Sequence, residues 1–485
     1  MKLKHLSLSV MLLGTAFAGW STGAVASGYH FGTQSVSAQA TANASAAEAG
    51  DATTIFYNAA GMTKLDGTHF SGALNIVAPS VEYSNARAFY PSGTPAAVSG
   101  VNSGKITDDV LLVPHLYLTH KLNDRISAGL GVYVPYASAT EYQRNSVLRY
   151  NLNETSLTTI DINPTIAFKL NEQHSFAAGV IAQYAKAELR QYANFGARLA
   201  AINPAFTGAP TNGAADGYAD VDGDDWGFGY NLAWLWDINE KARVGLNYRS
   251  AIKHNLQGNA KWSLPTQVVI GGNVVPLPPS QIAAAQGALR SLGYAANESA
   301  SVEIKTPESL SLHGMYMVDS KWNVFGDVTW TKHSRFDRAE IKYGNKKPGP
   351  GGLAPVTNVT VLTPKWDDTY KVSLGASYQY SEPLQLRFGV AYDQTPVQSD
   401  DLRLATMPDN DRYWFSVGAK YDLNKNSSIN VAYSYIHIKD AKANVNGYCG
   451  GAAPGAVSCV SSYTRGSADF KSHANILGVQ YNHSF

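Results

Sequence analysis

The chain has 485 residues, and its 38 Lys and Arg residues almost balance its 37 Asp and Glu residues. Charged residues make up 15% of the chain, while 45% are hydrophobic and 11% are aromatic. This composition excludes a disordered chain, and the balanced, scattered charge excludes a basic surface for nucleic acid. Beyond the N-terminal region, no apolar run approaches the ~20 residues that a membrane-spanning helix needs. We therefore predict one large β structure.

The N-terminus has the features of an export signal. Lys2, Lys4 and His5 are followed by an apolar stretch over 6–18, and Ala24-Val25-Ala26 fits the small-residue cleavage pattern. We predict that residues 1–26 form a signal peptide. An uncleaved anchor is the alternative.

From residue 67 onward, apolar and polar residues alternate with a period of two, which is typical of β-strands. In the last segment, Leu477, Val479, Tyr481 and Phe485 share one face, and small or polar residues share the other. Fourteen segments show this pattern, near 68–83, 109–122, 125–140, 153–170, 173–192, 225–238, 241–259, 300–318, 321–337, 365–381, 384–393, 411–423, 427–440 and 467–485.

Short and long connections alternate strictly between these segments, as in transmembrane β-barrels. We predict an all-β, 14-stranded antiparallel barrel over 67–485, with seven outer loops and six periplasmic turns, in the outer membrane of a Gram-negative bacterium. The terminal Phe485 suggests recognition by the barrel assembly machinery. A soluble β-sandwich, with its apolar face turned inward, is the alternative.

Two long connections contain helix-forming residues, at 194–206 and 279–293. Helical caps on outer loops could form an apolar vestibule. The two cysteines, Cys449 and Cys459, flank a Gly-rich stretch, and in an exported chain they predict one disulfide that closes a loop.

Residues 27–66 do not alternate and are rich in Ala, Ser, Gly and Thr. Small residues suit a compact plug, so we predict an N-terminal hatch inside the barrel lumen. A free periplasmic tail is the alternative.

Part of this segment resembles the hatch signature of the FadL (OMPP1/TodX) outer-membrane transporters, in which an aromatic residue precedes Asn-Pro-Ala-Gly-Met. The matching residues are Gly50-Asp51-Ala52-Thr53-Thr54-Ile55-Phe56-Tyr57-Asn58-Ala59-Ala60-Gly61-Met62. Ala59 stands where the family has proline. The resemblance covers essentially the whole mature chain, including the predicted strand and loop layout.

The resemblance implies passive uptake of hydrophobic small molecules, most of all long-chain fatty acids. Ligand would be captured at the outer loops, and hatch movement would release it sideways through a gap beside a kinked third strand. Uptake of aromatic compounds, hydrocarbon or salicylate-like, and a general porin are the alternative functions. The expected partners are the hydrophobic ligand, outer-membrane lipids and lipopolysaccharide.

The candidate gating residues are Asn58, Ala59, Ala60 and Gly61 of the hatch. Asn58 can cap a turn with its side chain, and Gly61 can adopt a positive φ, so that together they would hold the turn against the kinked strand.

Three prolines lie in adjacent predicted strands: Pro114, Pro135 and Pro164. Because proline cannot donate a ladder hydrogen bond, they predict local opening of the sheet, unless they sit at strand ends. Lys186 and Arg190, near the end of the fifth strand, lie where the family places basic ligand contacts. Solvated rim charges, with Glu188 pairing one of them, are the alternative.

The histidines are scattered among the predicted strands, and no Gly-x-Ser-x-Gly elbow is present. We therefore predict that the chain is not an enzyme and needs no cofactor. No His or further Cys completes a metal site with the two cysteines, and the balanced charge argues against nucleic-acid binding. A single barrel filled by its own hatch suggests a monomer.

Overall fold

The computed structural model describes residues 30–90, 96–107, 110–196, 199, 213–270, 273–348, 356–447 and 464–485. The predicted signal peptide, Cys449 and Cys459, and most of the predicted helix at 194–206 lie outside the described residues. Within the described ranges, no helix is long and apolar enough to cross a membrane.

Fourteen antiparallel strands form the sheet, as the alternation predicts, and five of them are interrupted. They are β1 (Thr68–Tyr90), β2 (Leu111–Lys121), β3 (Ile126–Tyr133 and Ala137–Glu141), β4 (Glu154–Lys169), β5 (His174–Asn194), β6 (Asp216–Asp237), β7 (Ala242–Arg249 and Ile252–Ser263), β8 (Glu298–Thr306 and Ser309–Met317), β9 (Trp322–Thr331 and Ala339–Lys347), β10 (Thr357–Leu362 and Thr369–Gln379), β11 (Leu384–Asp393), β12 (Arg412–Asn424), β13 (Ser427–Asn446) and β14 (Arg465–Ser484).

The sheet closes because β1 pairs with β2 on one edge and with β14 on the other, from His69↔Ser484 to Phe89↔Arg465. Short turns join the strands at one end of the barrel, which we call the turn end, and long connections join them at the loop end. The short strands Ala96–Ala97 and Gly104–Lys105 add to β1, and Gln267–Ile270 pairs with Asn273–Pro276.

The outer surface of the barrel carries an apolar belt. On β6, Trp226, Phe228, Tyr230 and Leu232 point outward and are 50%, 71%, 48% and 48% exposed, whereas the intervening Asn231 is fully buried. The outward residues from Trp226 to Trp236 span about 25 Å along the barrel axis, at ~3.3 Å per residue and a tilt of ~40°, which matches a membrane. This inverted alternation contradicts the soluble alternative.

The predicted strand bounds differ from the structure mainly at the loop end. The sixth strand begins at Asp216 rather than 225. β7–β10 each contain a break that the sequence pattern did not predict, whereas the break in β3 lies at Pro135, where local opening was expected. Breaks occur beside Pro135 and Pro307, since proline removes a ladder donor, and at a 3₁₀ helix, His333–Arg335.

The N-terminal segment, residues 30–66, lies inside the barrel. It contains α1 (Val36–Gln39), α2 (Thr54–Tyr57) and a 3₁₀ helix, Ala59–Lys64. Small residues let it approach the wall closely: a Cβ on Gly389 of β11 would lie 2.0 Å from the Thr41 carbonyl carbon, and one on Gly418 of β12 would lie 2.6 Å from Ala40 Cβ. This packing explains the Ala-rich composition of the segment.

At the loop end, α3 (Pro279–Ser291) forms within the predicted 279–293 helix, and a 3₁₀ helix covers Arg149–Asn151. Proline at the first position of α3 is favoured there, because that N–H has no partner inside the helix.

Candidate functional site

The sheet is open between β2 and the part of β3 nearer the loop end, beyond Val132. The β2–β3 ladder runs only from Leu116↔Val132 to Lys121↔Ser127. Beyond it, the N-terminal segment supplies the missing partners from inside, because Phe31 N donates to Pro135 O at 2.8 Å and Gln34 Nε2 donates to Val134 O at 2.8 Å. The gap in the wall is therefore closed by residues that are not part of it.

All three predicted prolines lie at discontinuities of the sheet rather than at strand ends. Pro135 occupies the break in β3, and Pro114 lies just beyond the last β2–β3 pair. At Pro164, the β4–β5 pairing is absent between Ile162↔Ala182 and Thr165↔Gly179.

Asn58 connects the segment to the opposite part of the wall. Its Oδ1 accepts a hydrogen bond from Ala60 N at 3.1 Å, which is the predicted cap. Its Nδ2 donates to Trp234 O at 2.9 Å and lies 2.8 Å from His313 Nε2. The Asn58 side chain thus holds the turn against β6 and β8. Met62 of the same 3₁₀ helix packs against the expected β3, because a Cβ on Gly129 would lie 2.5 Å from its Sδ.

Ala59, Ala60 and Gly61 are fully buried in the 3₁₀ helix. Ala59 is its first residue, a position that accepts proline equally well, so the departure from the family signature leaves the turn intact. Gly61 does not have the expected positive φ. It is required for space, because a Cβ there would lie 2.3 Å from Thr54 Oγ1 and 2.5 Å from Ala49 Cβ.

Basic side chains fix the segment at the turn end. Arg243 of β7 pairs with Asp237 at 2.6 Å, and Lys64 pairs with the same carboxylate. A polar cavity of about 220 Å³ lies between the segment and the turn end, and its lining includes Asp51, Lys420 and Asn430. The turn end is therefore polar and closed by ion pairs.

Lys371 is a lumen cation that the sequence analysis missed. Its Nζ lies 4.0 Å from the centroid of the Trp414 ring, and 3.8 Å from where a Cβ on Gly32 would stand. It forms no ion pair with any residue that the structure describes, although Asp393 and Asp327 attract it from farther away. The signal was present, since Lys371 shares the polar face of Ser373 and Gly375 on β10.

Arg249 of β7 is a second lumen cation. Its Nη2 donates to Tyr133 OH at 2.7 Å and pairs with Asp161 at 3.0 Å, and its guanidinium covers the Phe56 ring at 4.6 Å. Its buried Nη1 has no hydrogen-bond partner among the described residues.

Lys186 and Arg190 do not reach the lumen. On β5 they share the outward face of Phe176 and Val180, and Lys186 pairs with Glu188 at 2.6 Å. Arg190 pairs with Glu141, Glu154 and Asp220 at 2.7–3.0 Å. The expectation of ligand contacts is wrong, because strand parity turns both side chains outward.

The loop end of the lumen is filled by apolar side chains. The Tyr294 ring lies 4.7 Å from the Phe195 ring and 4.9 Å from the Trp262 ring, both edge to face. Other members of this cluster come from α3 and from the inner wall, and include Leu277, Ala285, Leu289, Ile341, Tyr343, Leu362 and Leu404.

A sequence profile described as "Outer membrane protein transport protein (OMPP1/FadL/TodX)" matches residues 17–485. The chain belongs to this family. The similarity to FadL and TodX transporters that the hatch signature suggested is therefore confirmed, together with the outer-membrane location. Because the family consists of transport proteins, the prediction that the chain is not an enzyme is confirmed as well.

Known relatives agree with this assignment, and known structures share the fold. A Neisseria meningitidis serogroup B protein, described only as an outer membrane protein, is 50% identical over 99% of both chains. The long-chain fatty acid transport protein of Salmonella typhi is 29% identical over 82% of this chain and 85% of its own. The crystal structure of a Pseudomonas aeruginosa FadL homologue has a TM-score of 0.77 at 22% identity, covering 94% of this chain and 100% of that chain. The toluene transporter TodX of P. putida has a TM-score of 0.59 at 17% identity, covering 90% and 94%.

Proposed function

We propose that this outer-membrane protein takes up hydrophobic molecules that carry a carboxylate, most of all long-chain fatty acids. The observation that carries the proposal is Lys371, a lumen cation without a described ion-pair partner, beside Gly32 of the N-terminal segment. A hydrogen bond between charged groups contributes about 1.5–3 kcal/mol, so this ammonium would favour a carboxylate over an uncharged end group.

The proposed path begins at the apolar cluster of the loop end, which faces the cell exterior. There the ligand's chain would gain roughly 25 cal/mol for each Å² removed from water. Residues 27–66 act as the hatch. Movement of its first described residues, 30–34, would withdraw Phe31 and Gln34 from β3 and uncover the gap beside β2. Release is lateral, since the turn end is polar and ion-paired.

The similarity to the S. typhi fatty acid transport protein supports this cargo. Uptake of uncharged aromatic compounds is the second candidate, favoured by the edge-to-face cluster of Phe195, Trp262 and Tyr294. A general porin is disfavoured, because the N-terminal segment occupies the lumen.

The test compares uptake of labelled oleate and labelled toluene into cells whose only transporter of this kind is the protein or a variant. Lys371→Gln should lower oleate uptake at least fivefold and leave toluene uptake unchanged. Lys420→Gln is the matched control, because Lys420 also faces the interior but pairs with Asp422 at 3.1 Å near the turn end. Unchanged oleate uptake in Lys371→Gln would rule out the proposed contact between Lys371 and the carboxylate. An equal loss of uptake for both substrates would show that Lys371 stabilises the structure of the lumen and does not bind the carboxylate.

A further inference from the structure

Two lysines face each other on the outer surface of the barrel. Lys253 of β7 and Lys305 of β8 are direct cross-strand partners. Both side chains point outward, because the residues that alternate with Lys253, Ile252 and His254, are buried. Like charges in directly opposite positions are destabilising. An anion bound between the two ammonium groups would offset their repulsion and stabilise the fold.

This pair lies at the edge of the apolar belt. An aromatic pair marks that edge: the rings of Tyr184 on β5 and Trp226 on β6 lie 5.4 Å apart. Tyr230 and Tyr248, 5.9 Å apart, lie farther into the belt. Gly227 lies beside the backbone of Lys253, since a Cβ there would be 2.8 Å from its carbonyl oxygen. Aromatic girdles stand at the membrane–water boundary, which puts the two ammonium groups level with lipid head groups.

The charges around the pair leave it cationic. Glu303 pairs with Lys253 at 2.8 Å, and both side chains are more than 60% exposed. Lys305 has no ion pair within the described part of the chain. Lys342, outward on β9 and opposite Ser301, adds a third positive charge on the side of β8 away from β7. The carboxylates Asp222 and Asp224 lie beyond Trp226 on β6, farther from the belt.

We propose that Lys253 and Lys305 bind a phosphate of a phosphorylated outer-leaflet glycolipid, the lipid A part of lipopolysaccharide. Lysine stems can lie along the apolar belt while the ammonium groups reach the head-group layer. There they make charge-assisted hydrogen bonds to phosphate oxygens. The acyl chains of the same lipid cover the exposed Phe228 below. The proposal rests on the outward orientation of the loop end, but not on the identity of the transported cargo.

The test uses the purified, detergent-solubilised protein and native mass spectrometry. The probes are bisphosphorylated, hexa-acylated lipid A and the same lipid with both phosphates removed. We expect the protein to retain the phosphorylated form, and the variant Lys253→Gln/Lys305→Gln to retain it at least fivefold less. Lys261→Gln, an outward lysine farther along β7, is the matched control and should behave as wild type.

Loss of folding is separated from loss of binding by heat-modifiable migration, and by the variant Lys253→Arg/Lys305→Arg, which should restore retention. Equal retention by the Gln double variant, or equal retention of the dephosphorylated lipid by wild type, would overturn the proposal. So would full displacement of lipid A by millimolar inorganic phosphate, which would identify a site for free phosphate. Oleate uptake, measured in parallel, tests the transport proposal separately.

Discussion

The guanidinium of Arg387, on the inner face of β11, donates two hydrogen bonds to the carboxylate of Glu48, at 2.7 and 2.8 Å. The Arg387 side chain is only 5% exposed, so the pair is largely removed from water. From β7, Arg243 donates to the carbonyls of Ala47 and Glu48 at 3.0 and 2.9 Å. Two arginines on different parts of the wall therefore hold one point of the N-terminal segment.

The first prediction concerns this attachment. Glu48→Gln leaves the Arg387 charge buried without its counter-charge, and breaking a buried pair in this way costs about 3–5 kcal/mol. We expect wild type to show little ion conductance in planar bilayers, and Glu48→Gln to show more frequent and longer openings. Deletion of residues 27–66 should give steady conductance.

The control for this measurement is Glu172→Gln. Glu172 also pairs with a cation, Lys169 at 2.7 Å, but it lies on an exposed turn, where ion pairs contribute little. Openings equally frequent in both variants, or a large steady conductance in wild type, would argue against a sealed hatch.

The second prediction concerns Gly61. Gly61→Val places a side chain into Thr54 and Ala49, at distances that require the segment to shift. We expect reduced uptake of both oleate and toluene, with normal surface levels and heat-modifiable migration, since no barrel hydrogen bond is touched. Gly287→Val is the matched control, because a Cβ at Gly287 in α3 meets nothing within 4 Å. Unchanged uptake of both substrates in Gly61→Val would contradict a gating role for this turn.

The strands could be predicted from sequence because a membrane barrel imposes one rule on every strand. A residue such as Phe228 meets lipid and its neighbour Gly227 meets the interior, so the pattern is local. The opening at Pro135 was expected from the proline itself, but the breaks in β7–β10 were not predicted, and neither were the partners that stabilise a break, since these are distant in sequence. The break at Pro135 is stabilised by Phe31, which local periodicity does not reveal.

The candidate site was predicted less completely, for a similar reason. Asn58 was identified from its motif and its local cap, but its contacts with Trp234 and His313 depend on the closed barrel. Lys186 and Lys371 are both lysines within alternating strands, but they lie on opposite faces of the sheet. Lys186 points to the outside and Lys371 points to the lumen. A shift of one residue in strand register exchanges those two surfaces, so the choice required the observed pairing.

The third prediction concerns the Asn58 amide. Asn58→Asp keeps the side-chain shape but replaces a donor with a carboxylate oxygen facing the carbonyls of Trp234 and Leu246. Unpaired buried groups cost about 1–3 kcal/mol, and more when charged. We expect the N-terminal segment to become protease-sensitive in the purified protein.

Asn426→Asp serves as the comparison for this variant. The Asn426 amide also donates to a backbone carbonyl, Ser484 O at 2.8 Å, but on an exposed turn. It should therefore leave the protease pattern unchanged. Equal resistance of the Asn58 and Asn426 variants would show that the amide does not anchor the segment.

The last prediction concerns the disulfide expected between Cys449 and Cys459. The strands on either side of this connection are already paired up to Asn446↔Arg465, and Gly447 N donates to Thr464 O at 2.7 Å. A bridge over roughly ten residues would restrict the unfolded chain by about 2–4 kcal/mol, but within a loop whose ends the β13–β14 ladder already holds. Cys459→Ser should therefore leave heat-modifiable folding of the barrel intact, while the loop becomes easier to cleave with added protease. A variant that fails to assemble would make the bridge part of barrel folding and would contradict its assignment to a peripheral loop.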